Sequence, residues 1–214
     1  PRGEVSGGDA LAQARERGCF TVINHPYALV WMAYDWTDYG YDAIEVYNGG
    51  LAYDGTDEGA RSAWRCDLLQ GRHVVAVAGS DNHRVHTSAP GAAITPALGY
   101  PATSVFATSG DWESIMTGLK NGLVALHEGD SRLVLDGYDR DCQRHEGPDT
   151  TTLRLRGRLA AGADAAMVRL SRASACTDTR PDHASPPVIT EEVLFERSVA
   201  PGTSFDEEVP IDAQ

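Results

Sequence analysis

The chain has 214 residues, 42% of them hydrophobic and 23% charged, an ordinary globular balance that can bury one sizeable core or two small ones. Lys and Arg number 18 against 31 Asp and Glu, and the formal net charge of -13 repels a nucleic-acid backbone; no basic patch offsets it along the sequence. No apolar run approaches the ~20 residues that span a bilayer and no charged-then-apolar leader opens the chain, so no membrane span and no nucleic-acid partner is expected.

The first residues, Pro1 to Gly8, carry no opening signal, and the chain reads as a fragment of a longer gene product. Asp9 to Arg17 predicts a helix, with Asp9 as N-cap and Gly18 as its stop. Cys19 to Ile23 is a short β-rich run that breaks off at Asn24-His25-Pro26, where proline cannot continue a central strand. Ala43 to Tyr47, ending in Asn48-Gly49-Gly50, and Val74 to Ala78, ending in Gly79-Ser80-Asp81-Asn82-His83, repeat that grammar. Gly59 to Leu69 has a helical pattern between them. A strand at Ser104 to Ala107 precedes a helix from about Trp112 to Asn121, capped by Ser109 or Asp111 and stopped by Gly122. Strands alternating with helices predict a parallel sheet or barrel.

After Gly122 the pattern becomes all-β. Leu123 to His127, Arg132 to Asp136, Thr151 to Leu159, Ala166 to Arg172 and Val188 to Phe195 read as strands, and Leu153 to Arg156 alternates apolar with charged. That alternation predicts a small antiparallel, sandwich-like unit. The expected division is therefore α/β over 1–130 and all-β over 131–214, with Ala173 to Pro187 as a long loop holding His183. Cys19, Cys66, Cys142 and Cys176 show no CxxC spacing. Cys19 and Cys66 read as buried thiols, and Cys142 with Cys176 as a candidate disulfide. Such a bridge favours a bacterial secreted or periplasmic setting over the cytoplasm.

The strand ends carry the chemistry. His25 follows the first strand, Glu45 and Asn48 mark the second, and Asp81 with His83 follow the third. In parallel α/β folds side chains at that rim converge from distant parts of the sequence. Imidazole and carboxylate together suit Zn, Mn or Fe, so His25, Glu45, Asn48, Asp81 and His83 are candidate metal ligands at these strand ends. Glu45 lies within its strand, where it either supports a ligand or makes a core hydrogen bond. Arg84 has the fork geometry to grip an anionic substrate, and Glu45, Asn48 and Arg84 are the candidate catalytic residues. His86 lies close enough in sequence to line the pocket, His73 reads as a surface residue, and the aromatic stretch Trp31 to Trp36 with Tyr39 and Tyr41 reads as packing or a lid.

Ile23-Asn24-His25-Pro26, Asp42 to Gly49 and Ala78 to Arg84, in that order and spacing, resemble the closing half of the PHP (polymerase and histidinol phosphatase) superfamily, most of all its carbaryl-hydrolase-like branch. The resemblance covers about residues 9 to 122. It implies the C-terminal half of a distorted β/α barrel, with His25, Asp81 and His83 as ligands to a cluster of two or three divalent ions. It also implies that the remaining ligands, including an opening His-x-His, belong to an N-terminal half with no counterpart in these residues. That half is the expected partner, from the same gene product or a separate chain. The expected activity is hydrolysis by a metal-activated water, on a small-molecule phosphoester first and an amide or carbamate ester as the alternative. A non-catalytic binding module with an incomplete metal site is the reading of a different class.

Overall fold

A computed structural model describes residues 6–27, 40–49, 54–84, 96–127, 132–136, 152–178 and 185–210. The aromatic stretch at 31–36 and Tyr39, together with His86, Cys142 and His183, lie outside the described residues. Helix α1 spans Gly7–Glu16. Its cap is Ser6, whose hydroxyl accepts from the Asp9 amide. Asp9 therefore sits in the first turn, where its charge complements the helix dipole, and is not the cap. Gly18 ends the helix at φ 72°, a conformation that costs glycine little.

Strands β1 (Val22–Ile23), β2 (Ala43–Asn48) and β3 (Val75–Gly79) form a three-stranded sheet in the order β1-β2-β3, both pairings parallel. β1 is shorter than Cys19 to Ile23 suggested. Cys19 is an exposed free thiol, because the chain there is still turning out of α1. Helix α2 (Asp54–Leu69) starts earlier than its apolar pattern and packs on β2. Ile23, Tyr41, Ile44, Val46, Ala63, Val74 and Ala76 form the buried core between them, joined at its margin by Leu11, Trp64 and Leu126. Ala43 to Val46 are buried consecutively, as expected of a central parallel strand covered on both faces.

The parallel order stops at β3. Strands β4 (Ala102–Val105) and β5 (Val124–His127) flank helix α3 (Trp112–Lys120), yet they pair antiparallel in a separate two-stranded sheet. The alternation had implied a parallel sheet or barrel that includes the strand at Ser104 to Ala107. Where β4 meets β3, the Thr103 hydroxyl donates to the Ala78 carbonyl at 2.9 Å and accepts from the Ala78 amide at 2.8 Å, so a side chain bonds the β3 backbone there. Asp111 caps α3, and Gly122 follows it at φ 69°. Among the described residues the sheets are small and none closes into a barrel.

Strands β6 (Arg132–Asp136), β7 (Thr152–Arg158) and β10 (Ser204–Pro210) form an antiparallel sheet in the order β10-β7-β6. β8 (Ala166–Thr177) and β9 (Val188–Val199) make a long antiparallel hairpin. Leu155, Val199 and Phe205 form a second core, with Leu159, Val168, Leu170 and Phe195 packed against it, so both sheets contribute to one cluster. β8 runs five residues past Arg172, into the segment read as a loop. β10 was not read as a strand because Asp206 and Glu208 on one face, and Glu207 between Phe205 and Val209 on the other, mask the two buried apolar residues.

The hairpin is fastened to α2. Cys176 forms a disulfide with Cys66, not with Cys142, and Cys66 is thus buried but is no free thiol. Arg65 pairs with Glu191 at 3.6 Å and the Gln70 amide donates to Asp178 at 3.2 Å across the same seam.

Candidate functional site

Because β1, β2 and β3 are parallel neighbours, their C-terminal ends share one edge of the sheet. His25 lies two residues beyond β1, Asp81 two beyond β3, and Glu45 and Asn48 in β2 between them. His25 has φ 32° and Asp81 φ 50°, the two positive values at non-glycine residues among the described ones. A backbone held in that region is uncommon and clusters at functional sites. The pairing of β2 with β3 also shifts register between Glu45 and Tyr47, an irregularity of the kind that re-aims side chains beside a site.

Glu45 is buried and joins the turn after β1 to the end of β2. One carboxylate oxygen, Oε2, accepts from the His25 backbone N–H at 2.8 Å and from the Asn48 side-chain amide at 3.2 Å. Of the two readings left open for Glu45, the structure shows these hydrogen bonds. Burial pushes its carboxyl above the usual carboxylate range, against the pull of the Asn48 amide and the His25 N–H, and the Asp81 carboxylate pushes the same way as burial. Glu45 is thus electrostatically in touch with both outer strand ends. A Cβ on Gly79 would stand 3.3 Å from Glu45 Oε1, so the bare backbone of β3 makes room for the carboxylate.

Asp81 and His83 are adjacent, with His83 Nε2 3.0 Å from Asp81 Oδ1. The Asp81 side chain is 26% exposed and that of His83 68% exposed, so the imidazole is presented to solvent. The Asn82 side chain spans to the Pro96 carbonyl, and its oxygen accepts from the Arg84 backbone N–H at 2.6 Å, which shapes the turn carrying both. Arg84 is exposed at the end of that turn. His73 is exposed, as its sequence position suggested, with its ring against the Lys120 carbonyl.

The sequence reading missed Asp57. It is buried on α2 and its carboxylate accepts from the Asn48 backbone N–H at 3.2 and 3.4 Å. A signal existed: Asp57, Ala60, Ala63 and Asp67 recur at helical spacing on the face α2 turns inward, so an acid stood on a core stripe.

As donors, an imidazole and a carboxylate side by side at Asp81 and His83, with His25 and Glu45 at the neighbouring strand ends, are of the types that divalent metals take. No group of three or more His, Cys, Asp or Glu side chains that could hold an ion is gathered among the described residues. A cleft of about 680 Å³ between the α1–β1 turn and α3, lined by Cys19, Phe20, Trp112, Met116 and Lys120, contains none of these candidates.

No family model matches the chain, and no curated protein matches it. Among solved structures it is similar to a two-domain protein from Bacteroides vulgatus containing a predicted PHP-like metal-dependent phosphoesterase, at 12% identity and a TM-score of 0.41. The match covers 99% of this chain and 59% of that one, so the chain spans less than two thirds of its neighbour's length. Similarity at this level fixes neither fold nor function.

Proposed function

We propose that the chain forms part of a metal-dependent hydrolase, with small phosphoesters as the first substrate class. One observation carries the reading: His25, Glu45, Asn48, Asp81 and His83 come from three successive parallel strands to one edge, and its two outer corners are held at positive φ. His25, Asp81 and His83 are the residues that would hold the metal. A divalent ion bound there supplies Lewis acidity and an activated water. Glu45 fixes the backbone at His25, Asn48 orients the Glu45 carboxylate, and Arg84 offers an exposed guanidinium to an anionic oxygen of the substrate. With a formal charge of -13 on the chain, a phosphoester needs such a local cation to approach.

The ligand set is incomplete, and the reading includes a further polypeptide segment that supplies the rest. β1 is an edge strand of its sheet among the described residues, and its open side is where such a segment would pair. These residues accommodate an acyl carbon as well as phosphorus, so amide and carbamate esters belong in the test.

The full-length gene product and the 214-residue chain are to be assayed with Mn²⁺ or Zn²⁺ on a phosphodiester, a phosphomonoester and an aryl carbamate. Metal-dependent turnover by the full-length protein, lost in His83→Ala and near zero for the chain alone, is expected. No metal-dependent turnover on any of the three, with no metal uptake, would sink the proposal. Equal turnover by both proteins would overturn the requirement for a further segment.

A further inference from the structure

We infer that Asp57 is a positioning residue: its carboxylate holds the Asn48 backbone, and through Asn48 the Glu45 carboxylate, in place beside His25. That this end of β2 serves hydrolysis rests on the function proposed above. That Asp57 holds it rests on the geometry of α2 and β2.

β1 pairs with β2 only at Ala43 and Ile44, so the ladder on that side ends well before Asn48. The Asn48 N–H, in a residue 1% exposed, finds its acceptor in the Asp57 carboxylate, itself on a residue 5% exposed. A buried backbone donor without an acceptor is costly, and a carboxylate is a stronger acceptor than a neutral group. Ala60, Ala63 and Cys66 on the same face of α2 are apolar and buried, and an apolar residue would pack there without the cost of desolvating a charge. From Asn48 the connection continues at 3.2 Å from its side-chain amide to Glu45 Oε2, and at 2.8 Å from that oxygen to the His25 N–H. Helix α2, the end of β2 and the turn after β1 are therefore linked by one unbroken set of hydrogen bonds, and Asp57 is its only member from the helix layer among those named.

The test is amide hydrogen exchange on the full chain, resolved by residue, for wild type, Asp57→Asn and Asp57→Ala. In Asp57→Ala the Asn48 and His25 amides are expected to exchange about tenfold faster or more, the scale of a lost hydrogen bond to a charged group. The Ile44 amide, held between Ile23 and Ala76 in the ladder, is expected to keep its wild-type rate. Asp57→Asn keeps an oxygen of the same shape and is expected to fall between the two. A residue that merely stabilised the fold would speed all three amides by a common factor, and that result overturns the proposal, as does an unchanged rate at Asn48 or His25. Should Asp57→Ala fail to fold, Asp57→Asn decides alone on the same criterion. Mn²⁺ uptake by the wild-type chain and by the full-length product is measured in parallel: its absence from both counts against the proposed function, whereas uniform or absent exchange effects count against Asp57.

Discussion

Cys66, on the buried face of α2, is bonded to Cys176 of β8, so the helix that covers the parallel sheet is tied to an antiparallel hairpin 110 residues further along. The bond crosses the division expected near residue 130, and the Arg65–Glu191 and Gln70–Asp178 contacts lie on the same seam.

Peptide mapping without reduction is expected to recover a Cys66–Cys176 linked pair, and Cys19 is expected to react with alkylating reagent in the native protein. Cys66→Ala or reduction should cost about 2–5 kcal/mol, as for a native bridge closing a long loop. In a domain of this size that lowers the melting temperature by on the order of 10 °C. A linked Cys142–Cys176 peptide would refute the pairing.

The seam between α2 and the start of β2 holds a buried ion pair. Asp67, fully buried, accepts from the Tyr41 hydroxyl at 2.7 Å and pairs with Arg72 at 2.9 Å, while the Arg72 guanidinium lies 5.1 Å from the Tyr41 ring centre. Asp67→Ala removes the buried acceptor shared by Tyr41 and Arg72 and is expected to cost about 3–5 kcal/mol in denaturant unfolding. Tyr41→Phe, which removes one hydrogen bond, is expected to cost about 1 kcal/mol or somewhat more.

Tyr41 also gives a pH dependence of definite sign. Burial first, and the Asp67 carboxylate second, hold its hydroxyl above the ordinary tyrosine value of 10.0. The folded state therefore keeps a proton that the unfolded state releases. The contribution is fully present below about pH 10 and is lost as pH rises from there toward the folded value. Alkaline unfolding of Tyr41→Phe should accordingly show a shallower fall in stability above pH 10 than wild type. Parallel curves for the two proteins would contradict the assignment.

Two glycines beside the site are expected to behave differently. A Cβ on Gly49 would meet the Tyr100 carbonyl, Pro101 Cδ at 2.9 Å and Ser80 Cα at 3.0 Å, none of which is the end of a flexible side chain. Gly49→Ala should cost about 1–3 kcal/mol or more in stability through overpacking. On Gly79 the nearest atom is Glu45 Oε1 at 3.3 Å, a carboxylate that can give by a few tenths of an ångström. Gly79→Ala should leave stability nearly unchanged while altering the metal affinity proposed above; the reverse ranking would show that Glu45 is not the neighbour that matters.

Much of the α/β region was legible because helix stops and strand ends are written in local chemistry. Gly18 and Gly122 at positive φ, and Asp111 as a cap, stand where turn chemistry puts them. What the sequence could not show was decided by contacts between distant segments. The antiparallel pairing of β4 with β5 joins segments on either side of α3, and the partner of Cys176 depends on α2 facing the β8–β9 hairpin. Asp57 was overlooked because the helical pattern was read from Gly59 onward, which left Asp57 outside it, and only the fold extends α2 back and turns Asp57 inward to Asn48. The strand ends bearing His25, Glu45 and Asp81 were recognisable, whereas the strained backbone at two of them was not.

The doubly bonded Thr103 hydroxyl has a consequence for how the molecule can be altered. One side chain stands in for a neighbouring peptide at the margin of the parallel sheet, acting as donor and acceptor at once. The junction between two sheet geometries is thus a single replaceable group. Valine at that position would keep the shape and β preference but offer neither function, leaving the carbonyl and amide of Ala78 to find new partners. Thr103→Val is expected to loosen the contact between β3 and β4 at Ala78.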